Sequence, residues 1–272
     1  MKKRFIQLST GEVFYRHWGG ANDRPPVLLL HPSPLSSAFV EPLGYYLADT
    51  FEVYALDIPG YGLSEPLKPQ PRRMADYVPF LLHFMRKKRL DRVYLYGTAT
   101  GCQLVIAFAL AFPERVERLV GENACHFEAA ERDDLLAAYF PDVKPQPDGG
   151  HLLRIWEMCY KTCIGFPWTR VPNNSLLPEG VSIERVQAMV RDTLLAGEQY
   201  HVAYRAAFEH ERAEHVQALR VPAVFVLWQH SVVLPYAERL ASFPMPPNVR
   251  FVRCAGGIDE RYRTIKQALC AS

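Results

Sequence analysis

The sequence predicts an α/β protein in which a mostly parallel sheet is flanked by helices. Three observations predict it. Short, continuous apolar runs such as Pro26-Val27-Leu28-Leu29-Leu30-His31 recur, the type that forms strands buried on both faces. These runs alternate with stretches of helical period, the signature of a parallel sheet covered on both faces. One long helical stretch, 125–215, interrupts the alternation before it resumes. A chain of 272 residues, 49% hydrophobic, suits one large α/β core with such an insertion.

In chain order, two amphipathic runs, Arg4–Leu8 and Val13–Trp18, flank Ser9-Thr10-Gly11-Glu12 and read as a hairpin. The buried strand at 26–31 follows. Phe51–Leu56 reads as a strand, Met74–Arg89 as a helix, Val93–Tyr96 as a strand, Cys102–Phe112 as a helix and Val116–Val120 as a strand. Residues 125–215 then carry helical patterns at Leu135–Tyr139, Leu152–Lys161, Ile183–Ala196 and Tyr200–His215, joined by proline-rich connections. Strands at Ala223–Trp228 and Val249–Val252 and a helix at Glu260–Leu269 close the chain. An all-helical insertion between strands of a parallel sheet is best placed over the strands' C-terminal edge. The organisation is therefore a core of 1–124 and 216–272 with a helical cap of 125–215 after the sixth strand.

Composition excludes several classes. Lys and Arg number 31 against 29 Asp and Glu, so a strong basic excess for nucleic acid is missing. No apolar run reaches the ~18 residues that span a bilayer. The basic start, Met1 to Arg4, has no apolar stretch of a secretion signal behind it. Six cysteines without CxxC spacing read as reduced thiols of a cytoplasmic protein. No metal and no cofactor are expected; a GxGxxG turn is absent from the first βα unit. The expected partner is a small apolar molecule, not nucleic acid or membrane, and the oligomeric state is left open.

Three local patterns carry a resemblance. His31-Pro32-Ser33-Pro34-Leu35-Ser36-Ser37 follows a buried strand, Asp57-Ile58-Pro59-Gly60-Tyr61-Gly62-Leu63-Ser64 follows the next, and Gly97-Thr98-Ala99-Thr100-Gly101 joins a strand to a helix. Taken in this order they resemble the HGxPLSS loop, the DxPGxGxS turn and the GxSxG nucleophile elbow of α/β-hydrolases. The resemblance implies that fold, and oxyanion donors in the backbone N–H groups of Ser33 and Thr100, with His31 and Thr98 beside them. Pro32 stands where the family usually has glycine.

The resemblance implies a nucleophile at the elbow's centre, a His after the last strand and an acid after the strand 223–228. Those positions hold Ala99, Ile258 (in Gly256-Gly257-Ile258-Asp259) and Ser231 (in Trp228-Gln229-His230-Ser231), so all three triad positions read as vacant. The leading expectation is non-hydrolytic chemistry of lyase, isomerase or cyclase type on a small apolar carbonyl compound under the cap. One alternative is a non-catalytic relative binding a small hydrophobic ligand or a partner protein. Another is a hydrolase disabled only by an engineered Ala99, disfavoured because Ile258 and Ser231 differ as well.

A proton carrier could be relocated. His230 lies in the loop where the acid belongs and Glu122 just after the strand 116–120, so a His230–Glu122 dyad is one expectation, weighed against an ion pair of Glu122 with an arginine. Cys125 and His126 form a weaker pair. His210-Glu211-Arg212-Ala213-Glu214-His215 spaces its histidines at i and i+5, which on a continuous helix turns the imidazoles apart, unlike HExxH. Trp156, Tyr160, Phe166 and Trp168 read as the cap's own core before they read as a ligand pocket. Charge divides unevenly: 125–215 holds 9 Lys and Arg against 14 Asp and Glu, while the remainder holds 22 against 15. An acidic cap over a basic core is expected to attract it.

Overall fold

A computed structural model describes residues 1–19 and 24–271. The hairpin forms from β1 (Lys2–Leu8) and β2 (Gly11–Trp18), paired antiparallel. The strands β3 (Val27–Leu30), β4 (Val53–Leu56), β5 (Val93–Thr98), β6 (Val116–Glu122), β7 (Ala223–Trp228) and β8 (Val249–Cys254) run parallel, in the order β1-β2-β4-β3-β5-β6-β7-β8. Continuous apolar sequence is the reason: every residue of β3 and β4 is buried, because helices cover both faces.

On one face lie α2 (Val78–Lys88) and α3 (Thr100–Ala111), packed through Phe80, Leu81, Phe84, Leu104 and Phe108. On the other lie α1 (Glu41–Leu47) and α10 (Ile258–Cys270), packed through Leu43, Leu47, Ile265 and Leu269. Between β6 and β7 run α4 (Ala129–Ala138), α5 (Gly150–Thr162), α6 (Ile183–Ala196), α7 (Val202–His210) and α8 (Ala213–Gln217), with α9 (Leu234–Ala241) just after β7. The α4–α8 segment meets the loops at the strands' C-terminal ends: Ser36 donates to Asp192 of α6 at 2.8 Å, and the Tyr61 hydroxyl to the Tyr200 carbonyl at 2.8 Å.

Several boundaries differ from expectation for local reasons. The strand placed at Phe51 begins at Val53. The helix placed over Met74–Arg89 opens with a 3-10 turn at Met74–Tyr77, because Pro79 sits in the first α-helical turn; Arg89, at φ 57°, ends it. The stretch Tyr200–His215 is not one helix: Glu211, at φ −71° and ψ 85°, breaks it into α7 and α8.

Candidate functional site

The strand-to-helix turn is built from backbone outward. Ala99 holds φ 48° and ψ −116°, a region that a non-glycine residue occupies only under constraint. Its N–H donates to the Glu122 carbonyl at 3.0 Å and its carbonyl accepts from the Gln103 N–H at 3.0 Å. A Cβ on Gly97 would overlap the Gly101 carbonyl, and one on Gly101 would overlap the carbonyls of Leu30 and His31. Glycine at those positions therefore lets α3 press its N-terminus against the loop after β3. Within 97–101 Ala99 alone is partly accessible, and its methyl offers no chemistry. The Thr100 amide, first in α3, meets no acceptor among the described residues, and the buried Thr100 Oγ1 has no partner either.

The facing loop is rigidly braced. The Ser33 amide also meets no acceptor among the described residues, and the residue is 6% exposed. Next to it, His31 is fully buried: Nδ1 lies 3.0 Å from the Pro32 carbonyl and Nε2 accepts from the Ile58 N–H at 2.9 Å. That pattern fixes the neutral Nδ1–H tautomer, and burial lowers the pKa against the pull of Asp57. Both ring nitrogens are engaged, so His31 ties the loops after β3 and β4 together. Asp57 does the same for its own turn, accepting from the Ser37 N–H at 2.7 Å and the Leu63 N–H at 2.8 Å. Gly62, at φ 55°, leaves the space that the Asp57 carboxylate fills.

The structure shows the alternative to the dyad, an exposed His230 and an ion pair of Glu122 with an arginine, and does not bring His230 and Glu122 together. Glu122, 2% exposed, accepts from Arg261 of α10 through Nε at 2.9 and 3.1 Å and Nη2 at 2.7 Å, and from the Tyr96 hydroxyl. Arg261 also stacks on Trp228 at 4.8 Å. Burial opposes the guanidinium charge, yet Glu122 and Tyr96 raise its pKa. His230 is exposed, 3.0 Å from the Gln229 amide nitrogen and edge-on to Trp228. Ser231 donates to Asn123 Oδ1 at 2.7 Å, and Asn123 Nδ2 donates to Thr98 Oγ1 at 3.0 Å, a short polar chain joining β5, β6 and β7 at their C-terminal ends. Ile258 opens α10 and is 44% exposed.

Cys125 and His126 do not pair: His126 Nδ1 accepts from the Ala213 N–H at 3.1 Å, and the ring packs on Phe243. The imidazoles of His210 and His215 do not diverge. The break at Glu211 stacks them with centroids 3.9 Å apart and 16° between planes. His210 Nδ1 lies 2.9 Å from Gln103 Oε1 of α3. Of the four aromatics Trp156, Tyr160, Phe166 and Trp168, Phe166 and Trp168 join Phe127, Tyr139, Tyr204 and Phe208 in one cluster, Tyr160 packs with Ile155, and Trp156 is 38% exposed.

Glu211 was missed as a site residue. It is 4% exposed, beside Cys125 and Arg132, and its Oε2 has no partner. Burial pushes its pKa well above the carboxylate range, with Arg132 opposing. The same burial, with Glu211 adjoining, raises the thiols of Cys125 and Cys102. The sequence signal was periodicity: Glu211 follows Ala207 and Phe208 by four and three residues, which puts a carboxyl on the buried side of α7. Two cavities, of about 320 and about 220 Å³, adjoin the segment between β6 and β7; neither is lined by Ser33, Ala99 or Thr100.

A family model described as the α/β hydrolase fold matches residues 25–150. An uncharacterized hydrolase of Saccharomyces cerevisiae is 32% identical over 128 residues, 45% of this chain and 42% of that protein. A 2-hydroxy-6-oxononadienedioate/2-hydroxy-6-oxononatrienedioate hydrolase of Pseudomonas putida is 31% identical over 126 residues, 43% of each. These matches span about two fifths of the relatives' own length. Epoxide hydrolase A of Mycobacterium thermoresistibile superposes with TM-score 0.71 at 18% identity, over 98% of this chain and 96% of that one. The sheet order, the elbow and these matches agree: the chain has the α/β-hydrolase fold.

Proposed function

We propose that this protein holds a small apolar carbonyl or carboxylate compound at the elbow, beneath a cap formed by 125–215, and performs no acyl transfer. The observation that carries the reading is Ala99. Its left-handed backbone is of a kind that costs about 1–3 kcal/mol, and it is kept beside two open amides, Ser33 and Thr100, with only a methyl group at the centre. Such amides stabilise a partially negative oxygen. A covalent step would need a nucleophile and a base. The candidate acid Glu122 is held by Arg261, Ser231 is bonded to Asn123, and Ile258 cannot accept a proton. The Pseudomonas relative is named for an oxo acid, a class that carries both a carbonyl and carboxylates on an apolar frame. Six cysteines without CxxC spacing support a reducing, cytoplasmic setting.

A second reading, a lyase, isomerase or cyclase, is favoured by Glu211. A buried carboxyl whose pKa burial raises could donate a proton without a covalent intermediate. The test combines a fluorophosphonate probe, an ester and thioester panel, and phenylpyruvate titrations followed by ligand-observed NMR. Expected are no labelling, no turnover, and phenylpyruvate binding that Ala99→Leu abolishes. Covalent labelling, ester hydrolysis, or binding indifferent to Ala99→Leu would overturn the proposal. Conversion of a carbonyl substrate that Glu211→Gln removes would select the second reading.

A further inference from the structure

The cavity of about 320 Å³ lies on the seam where the loop after β4 meets the start of α7; neither Ser33 nor residues 97–101 line it. Its volume is at the small end of ligand pockets, roughly 300–1,000 Å³. Tyr61, Leu67 and Tyr77 form its core wall and Val202 its cap wall. Gln70 and Gln199 join the two sides through their side-chain amides. Prolines at 66, 69 and 71 fix the backbone torsions of the strap that carries Lys68 to the rim.

Two polar groups there lack partners. Tyr77 is 2% exposed, yet its hydroxyl meets no hydrogen-bond partner among the described residues. Burial raises the phenol's pKa, so it remains a donor. Lys68 forms no ion pair among the described residues, while nearby Glu65 accepts from the Glu12 N–H and Asp76 from the Arg72 and Arg73 N–H groups. An apolar wall, one neutral donor inside and one free ammonium at the mouth define a ligand chemistry. We propose that this seam is a binding site for a small monocarboxylate with an apolar body, its carboxylate at Lys68 and its body against Tyr61, Leu67 and Val202. The site is separate from the elbow and stands or falls without it.

The test uses benzoate and its neutral isostere benzamide, followed by ligand-observed NMR and calorimetry on the full chain. Benzoate should bind saturably and more tightly than benzamide. Val202→Trp, which fills the cavity from a partly exposed position, should abolish binding of both. Lys68→Met should weaken benzoate by about two- to fivefold, the size of an exposed ion pair, leave benzamide unchanged, and be rescued by Lys68→Arg. Tyr77→Phe should weaken the probes by roughly fivefold, one neutral hydrogen bond. Equal affinity for the two probes, or benzoate binding that survives Val202→Trp, overturns the proposal. Binding that Ala99→Leu abolishes and Val202→Trp does not would place benzoate at the elbow, ending the seam site while leaving the elbow reading intact.

Discussion

Replacing Arg261 by Met should be among the most damaging single changes in the core. The guanidinium makes three contacts of 2.7–3.1 Å with Glu122, and the two side chains are 10% and 2% exposed. Met keeps most of the aliphatic stem but leaves a buried carboxylate with only the Tyr96 hydroxyl. Removing one partner of a buried pair costs about 3–5 kcal/mol, whereas replacing both by apolar residues is often neutral or better. Arg261→Met should therefore lose about 3–5 kcal/mol, and the double variant with Glu122→Met should recover most of it. Urea unfolding of the wild type, both single variants and the double variant closes the cycle. A loss below about 1 kcal/mol for Arg261→Met, the range of an exposed pair, would refute the reasoning. So would a double variant as unstable as the sum of the singles.

Ala99→Gly relieves the left-handed torsion; the gain, about 1–3 kcal/mol of strain less the 0.5–1 kcal/mol of extra unfolded-state freedom, should raise the urea midpoint. His210 has its pKa lowered to about 3 by burial, with His215 and Arg212 adding to it. A base depressed in the folded state contributes stability above its unfolded pKa of 6.5 and loses it as pH falls toward 3. Urea midpoints between pH 7 and 4.5 should thus fall less steeply in His210→Asn than in the wild type. Glu211 has the opposite sign: its raised folded pKa means that its contribution declines as pH rises above the unfolded value of 4.5. Glu211→Gln should therefore gain stability relative to wild type from pH 5 to pH 8, and the difference should vanish near pH 4.5. Parallel curves would show that Glu211 is ionised in the fold.

The strands β3, β5 and β7 were legible because they are short apolar runs bounded by turn residues, and β6, which carries Glu117 and Arg118, from its place in the alternation. Helix α1 was not, since seven residues containing Gly44 look like a loop; the glycine is there because the Trp18 ring packs where a Cβ would stand. Helix α9 was hidden by Pro235, which occupies its first turn, where the missing N–H does no harm. At the site, the elbow could be read from spacing because its constraints are local. The partner of Glu122 could not: Arg261 is 139 residues away, and nothing in either neighbourhood signals the pair. The stacked histidines failed for a related reason. Histidines at i and i+5 diverge only on a continuous helix; Glu211 leaves helical torsions with a ψ of 85°, and His210 meets Gln103 of α3.

The contacts around the elbow bear on whether Ala99 is an isolated change. A hydrolase disabled at one position would keep a histidine and a carboxylate poised against each other, since the remaining pair has no reason to rearrange. Here the surrounding groups are engaged elsewhere. Glu122 neutralises Arg261 from the helix that Ile258 opens, and Ser231 holds Asn123 against Thr98. These contacts give partners to the buried Glu122, Arg261 and Thr98, which would otherwise lack them. Restoring Ser at 99 alone thus adds a hydroxyl with no base to activate it. Adding His at 258 and Asp at 231 would also require the Ser231–Asn123 bond to break and a 44%-exposed helix start to turn inward. Under the proposed function the single variant Ala99→Ser resists fluorophosphonate, and the triple variant gains at most slow ester hydrolysis. Rapid labelling of the single variant would mean that a base faces the elbow after all.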